Sequence, residues 1–269
     1  MTRTTRLVPL GLAVTLLLSA CSGGDGTPAA TSDSGVPLVA EGKLTVCTNP
    51  PYEPFEFTDD SGEIVGLDID IVAEIAQDLG VEPEIKVAQF EGIQSGADLE
   101  TGNCDLVASA ITITEERAAR IDFSEPYFDA DQGLLLPAAA GVEPMDEAEA
   151  LASLEGSTIG VQQETTGAAW ATENGLTTIE FEDLGLQVQA LENGQVNAII
   201  NDVAVLGPFV EDGYTFGATF TTGEQYGFGV KKGNTALLDA VNGTLERIQG
   251  DGTYDAIYTE RIGDIPTAD

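Results

Sequence analysis

Between Lys43 and Arg261 the chain alternates short runs that suit a strand with longer runs repeating at helical spacing. This order constrains the fold more than any other feature. Strands separated by helices pair in parallel, because a parallel pair needs a crossover to join it. Lys43–Thr48 predicts a strand, broken by Asn49-Pro50-Pro51. Residues 68–79 predict an amphipathic helix with Ile71, Val72, Ile75 and Leu79 on one face, capped by Asp68 and ended by Gly80. A strand over 84–88, a helix over 90–101, a strand over 105–109 and a short helix over 114–120 follow. The alternation then restarts: strands over 158–161, 178–181 and 197–200, with helices over 165–174, 184–192 and 202–212. A strand over 226–231 and helices over 234–249 and 253–261 close it. The pattern predicts two doubly wound α/β lobes with mostly parallel sheets. Ligand chemistry is expected at the carboxyl ends of their strands.

Charge then excludes whole classes of function. There are 10 Lys+Arg against 46 Asp+Glu, a net charge of −36, and no His. Nucleic acid and anionic membrane surfaces both need clustered cations. Without His there is no Ser-His-Asp triad, no Cys-His pair and no imidazole metal site; no metal and no cofactor is expected. High net charge also accompanies disorder, but 42% hydrophobic residues with 21% charged predict a packed core. The charge is uneven: residues 137–222 hold 14 acids and neither Lys nor Arg.

The N-terminus reads as an address. Arg3 and Arg6 precede an apolar run from Leu7 to Leu18, too short to span a bilayer. Leu18-Ser19-Ala20-Cys21 resembles the lipobox of bacterial lipoproteins, which implies cleavage before Cys21 and lipid on that residue. The alternative is an ordinary signal peptide with a chance cysteine. Residues 21–41 then form a flexible tether rich in Gly, Ser, Thr and Ala, and the expected location is the outer face of the cell membrane. Losing Arg3 and Arg6 takes the charge from −36 to −38. Of the remaining thiols, Cys47 and Cys104 either pair, as extracytoplasmic cysteines often do, or stay as two buried thiols.

Several segments carry a family resemblance. Gly66-Leu67-Asp68-Ile69-Asp70-Ile71 is similar to the signature of the polar amino-acid solute-binding proteins of ABC importers. In the same order as in that family come Asn49-Pro50-Pro51-Tyr52-Glu53-Pro54-Phe55-Glu56-Phe57, Ser109 to Arg117, Asp122 to Tyr127, Gly160 to Gly167, Gly194 to Ala198 with Asn201-Asp202, and Asp251 to Tyr254. The resemblance covers residues 42–263. It implies a type II periplasmic-binding-protein fold: lobe 1 over 42–132 plus 225–269, lobe 2 over 133–224, and crossover strands near 132–136 and 222–227. Glu164 stands where a glycine is usual, and residues 90–105 run about two longer than the common pattern.

The resemblance also assigns roles, and each residue type has a physical reason. Arg117 offers a bidentate fork for an amino acid's carboxylate, shared with Ser109, Thr112 and the helix start at Thr165 and Thr166. Asp202 and the carbonyl of Ala110 take the ammonium. Tyr52 and Phe90 sandwich the aliphatic part, and Asn49 and Gln162 read the side chain. The bland alternatives stay open: Arg117 paired with Asp122 or Glu115, Asp202 as a helix cap, Tyr52 and Phe90 as core, Asn49 and Gln162 as loop polars.

A lobe without cations disfavours an anionic ligand. The expectation is a neutral polar amino acid such as glutamine or asparagine, with a cationic one next if Glu164 points inward. A monomer working with a membrane permease is expected. Rival readings are a dehydratase of the cyclohexadienyl type on the same fold and a ligand-sensing domain.

Overall fold

The computed structural model describes residue 2 and residues 30–32, 35–138 and 143–263. Apart from residue 2, the signal segment 1–20 lies outside the described residues, as do Cys21 and residues 22–29, 33 and 34 of the expected tether. Residues 36–38, read as tether, pack instead. Val36 and Leu38 are buried in the first core, and the Val39 N–H donates to Asp105 Oδ1 at 2.6 Å. Their two apolar side chains find a covered surface that composition alone did not reveal.

Two five-stranded sheets make a two-lobed α/β fold. In the first the order is Glu82–Val87, Lys43–Thr48, Leu106–Val107, Gly229–Lys231, Ile121–Phe123. In the second it is Thr177–Phe181, Thr158–Gln162, Ala198–Asp202, Phe128–Leu136, Thr215–Tyr226. In each sheet one strand of five runs against the other four, Gly229–Lys231 in the first and Phe128–Leu136 in the second, so the strands are mostly parallel as expected. The chain leaves the first lobe along Phe128–Leu136 and returns along Thr215–Tyr226. These strands pair from Phe128↔Tyr226 to Leu136↔Thr215, with register shifts between Phe216 and Ala218 and between Phe220 and Glu224. The ladder thus links the two lobes.

The long helix Leu67–Leu79 buries Leu67, Ile71, Val72, Ile75 and Leu79 against the first sheet, and Gly80 ends it in a left-handed conformation. Its entry corrects the capping role given to Asp68. The cap position is Gly66, at φ 136°, and an added Cβ there would stand 2.2 Å from the Phe55 carbonyl oxygen. That closeness lets Leu67 N–H and Asp68 N–H donate to the Pro54 and Phe55 carbonyls. Asp68 itself is fully buried inside the first turn.

Residues 90–101 are two short helices, Phe90–Gln94 and Ala97–Thr101, not one; Gly96 at φ 77° breaks them. A helix over Glu147–Ser153, capped by Asp146, falls in a stretch for which no element was predicted. Cys47 and Cys104 are joined by a disulfide with a Cα separation of 5.8 Å, inside a cluster with Phe90, Ile93, Val107 and Ile121. Among the described residues no helix is long and apolar enough to cross a membrane.

Candidate functional site

Loops at the carboxyl ends of the parallel strands meet between the lobes, as the topology requires. They meet around one small, nearly filled cavity. The first lobe lines it with Asn49, Tyr52, Phe90, Ser109, Ala110, Thr112 and Arg117, and the second with Gln162, Thr165, Thr166 and Asp202. All eleven residues singled out in the sequence thus face one cavity. A twelfth, Glu56, does so too.

Arg117 sits in the short helix Glu115–Ala118, whose N-cap Thr114 accepts the Arg117 N–H. Its side chain is buried, and its guanidinium donates to two carbonyls, Thr112 and Glu164, at 3.0 Å each. These carbonyls belong to opposite lobes. The guanidinium also lies 5.4 Å from the centre of the Phe90 ring. Neither suggested carboxylate partner holds it: Asp122 pairs with Lys232 at 2.7 Å, and Glu115 forms no ion pair with Arg117. Burial lowers the Arg117 pKa, and the nearby Asp202 and Glu224 oppose that. A buried guanidinium bonded to backbone oxygens alone keeps donors to spare, since Arg carries five.

Asp202 ends the strand Ala198–Asp202 and starts the helix Val203–Glu211, yet its side chain makes no capping bond. It is turned into the cavity. Its Oδ2 accepts from the Tyr52 hydroxyl at 2.7 Å and from the Tyr226 hydroxyl, and its Oδ1 from Gln132 Nε2 at 2.5 Å. Burial raises its pKa, and these donors pull it back. Tyr52 also reaches Asn201 Oδ1 at 2.6 Å, so one phenol from the first lobe bonds the second.

Ala110 is one of two non-glycine residues with positive φ among the described residues, at 43°. Asp68 accounts for it. The Asp68 carboxylate accepts the Ala110 N–H at 2.9 Å and the Tyr127 hydroxyl at 2.6 Å, and so pins the loop that carries Ser109, Ala110 and Thr112. Burial pushes the Asp68 carboxyl up to about 7.

The remaining polar residues are mutually tied. The Asn49 amide donates to the Ala88 carbonyl at 2.8 Å and accepts from Gln162 Nε2 at 3.3 Å. Thr165 caps its helix, accepting the Ala168 N–H and donating to the Gln162 carbonyl. Thr112 and Thr166 hydroxyls stand 3.4 Å apart across the lobes. Glu164, the second positive-φ residue at 62°, is exposed, and its carboxylate accepts from Gln94 at the mouth of the cleft. It does not line the cavity. Its left-handed backbone is the physical reason a glycine would be at home there.

The sequence reading missed Glu56, Tyr226, Gln132 and Glu224. Gln132 Nε2 bridges Asp202 to Glu224, which also accepts from Thr166. An acid between Phe55 and Phe57 was the available signal for Glu56, since flanking aromatics mark a segment being drawn into a core.

Residues 44–264 match the family described as bacterial extracellular solute-binding proteins, family 3. A probable histidine-binding protein of Neisseria gonorrhoeae is 31% identical over 255 residues, covering 91% of this chain and 90% of that protein. The ABC transporter glutamine-binding protein of Bacillus subtilis is 32% identical over 277 residues, 97% of both. Among solved structures, an ancestral arginine-binding protein bound to glutamine has a TM-score of 0.76 at 35% identity, covering 84% of this chain and 100% of that one.

Proposed function

Since the chain belongs to the bacterial extracellular solute-binding proteins, family 3, we propose that it captures one polar amino acid between its lobes and delivers it to the permease of an ABC importer. The observation that carries this reading is Arg117, a buried cation bonded only to carbonyls of the two lobes, facing the same cavity as the buried Asp202. A zwitterion supplies what each of them lacks. Its carboxylate takes the spare guanidinium donors, helped by Thr112 and Thr166, and its ammonium takes Asp202 and the Ala110 carbonyl. Tyr52 and Phe90 cover the aliphatic part.

The lobes, 42–132 plus 225–269 and 133–224, close by bending of the paired strands 128–136 and 215–226, and the ligand stabilises the closed form by touching both. The side chain of the ligand is polar and either neutral, such as glutamine or asparagine, or cationic. A glutamate side chain would bring a third carboxylate to Glu56 and Asp202. Histidine and glutamine, for which the two relatives above are named, fall within this class. The chain is held at the outer face of the membrane by lipid on Cys21; Cys21→Ala should release it from the membrane fraction. A binding role rather than an enzymatic one is supported by relatives named as binding proteins. Titration calorimetry with the twenty amino acids tests the core of the proposal. Arg117→Ala should weaken the tightest ligand by about 100-fold or more, the size expected for losing a buried charge-assisted pair. Unchanged affinity would remove Arg117 from its role.

A further inference from the structure

Two polar atoms of the cavity wall have no partner among the described residues: Glu56 Oε2 and Gln162 Oε1. Glu56 is 0% and Gln162 3% exposed, so water does not serve their side chains from the surface. Both orphans follow from bonds that fix the rest of their groups. The Ala88 carbonyl can only accept, so Asn49 must turn its amide nitrogen to it. Asn49 then shows its oxygen to Gln162, and Gln162 must donate its own nitrogen. The atom left over is a carbonyl oxygen. On the other side, Ser109 donates to Glu56 Oε1 at 2.6 Å while its oxygen accepts the Asn49 N–H at 3.2 Å, which leaves Oε2. Asn49 and Gln162 each spend one amide N–H on protein and Ser109 its only proton, and the atoms left bare beside them are acceptors.

The charge count points the same way. The charged side chains lining the cavity are Arg117, Asp202 and Glu56. The backbone groups of an amino acid cancel the first two, carboxylate against Arg117 and ammonium against Asp202. Glu56 remains, with a free oxygen and no cation beside it. A buried carboxylate left this way is costly, and a positive side chain relieves it.

We propose that Glu56 selects a ligand with a cationic, N–H-donating side chain of the guanidinium or ammonium class, its donors reaching Glu56 Oε2 and Gln162 Oε1. This narrows the proposed function and rests on it. The acidic surface adds a rate effect, since a net charge of −36 raises the local concentration of cations around the mouth. Burial and the neighbouring Asp68 favour the protonated form of Glu56 in the empty cavity, so a cationic ligand should expel that proton and a neutral ligand should leave it.

The test is calorimetry of the unaltered protein with arginine, lysine, citrulline, glutamine and glutamate, in two buffers of different ionisation enthalpy. Citrulline has the length of arginine but exchanges one donor for an acceptor and loses the charge. The expected result is arginine or lysine bound at least ~10-fold more tightly than citrulline and glutamine, with proton release for the cations alone. In Glu56→Gln the preference for the cation over citrulline should fall by about 10-fold, because the amide places a donor where Oε2 stood. Citrulline or glutamine binding as tightly as the cations would overturn the assignment while leaving the amino-acid-binding function in place. Binding of none of the twenty amino acids would overturn both. The comparison of ligands on the unaltered chain stands even if Glu56→Gln folds poorly.

Discussion

Tyr52→Phe removes one oxygen and nothing else, yet it should cost most of a decade or more in ligand affinity. The Tyr52 ring belongs to the first lobe, while its hydroxyl lies 2.6 Å from Asn201 and 2.7 Å from Asp202 in the second. A phenol has one proton, so the two contacts share it, and the stronger acceptor is the buried Asp202 carboxylate. When the lobes separate, both partners return to water. The bond therefore belongs to the closed form alone. A hydrogen bond to a charged group contributes about 1.5–3 kcal/mol, which at 1.4 kcal/mol per decade is roughly 10- to 150-fold in the closing equilibrium. Because ligand binds the closed form, its dissociation constant should rise by that factor, the remaining donors to Asp202 being Tyr226 and Gln132. Calorimetry gives the affinity, and small-angle scattering of the ligand-free variant gives the compactness. The melting temperature of the ligand-free protein should change little, since the substitution keeps the ring in its hydrophobic cluster. An affinity within two-fold of the parent protein would refute the reasoning, because the closed form would then owe nothing to this bond.

Three other outcomes are expected. Gly66→Ala should destabilise by more than about 2 kcal/mol in urea unfolding, because its Cβ would stand 2.2 Å from the Phe55 oxygen at a φ of 136°; an unchanged midpoint would contradict this. Replacing both Cys47 and Cys104 by Ala opens a loop with a sequence separation of 57 and should cost about 4 kcal/mol by the chain-entropy relation, measured by the same unfolding. Asp68 should give an inverted pH dependence. Its native pKa of about 7 lies above the reference 3.8, so between those values the folded form holds a proton that the unfolded form has lost. Stability from this group is present at low pH and is lost as pH rises towards 7, at up to about 1.4 kcal/mol per unit. The stability difference between the parent protein and Asp68→Asn should therefore move in favour of the parent from pH 7 to pH 5; parallel curves would exclude it.

The residues gathered around the cavity were unusually readable in the sequence. The family resemblance pointed to Asn49, Tyr52, Ser109, Thr112, Gln162 and Asp202, and all lie at or after strand ends, which a parallel sheet brings together. The errors have the opposite character. Asp68 looked like a cap because an acid stood at the start of an apolar period, but Ala110 and Tyr127, 42 and 59 positions away, use its carboxylate. The direction of Glu164 was open in the sequence, and the structure turns its side chain to Gln94 at the mouth. Residues 90–101 satisfied a helical period across Gly96, where the backbone departs from the helix at φ 77°.

Alternation of strand and helix, the apolar faces, the glycine stops and the excess of acid are local quantities, and the sequence by itself determined them. It also determined which loops must meet. Which charges those loops present was settled only by tertiary structure. The aromatics flanking Glu56 hint at burial but not at its partner: Ser109 from 53 positions away holds one oxygen and the other is left bare. Asp202 could have capped a helix; Tyr52, 150 positions earlier, and Gln132, 70 positions earlier, turn it into the cavity instead. A carboxylate in water is satisfied by its solvent, so its neighbours in sequence suffice to describe it. Once buried it answers only to the donors that folding brings within about 3 Å, and those come from elsewhere in the chain.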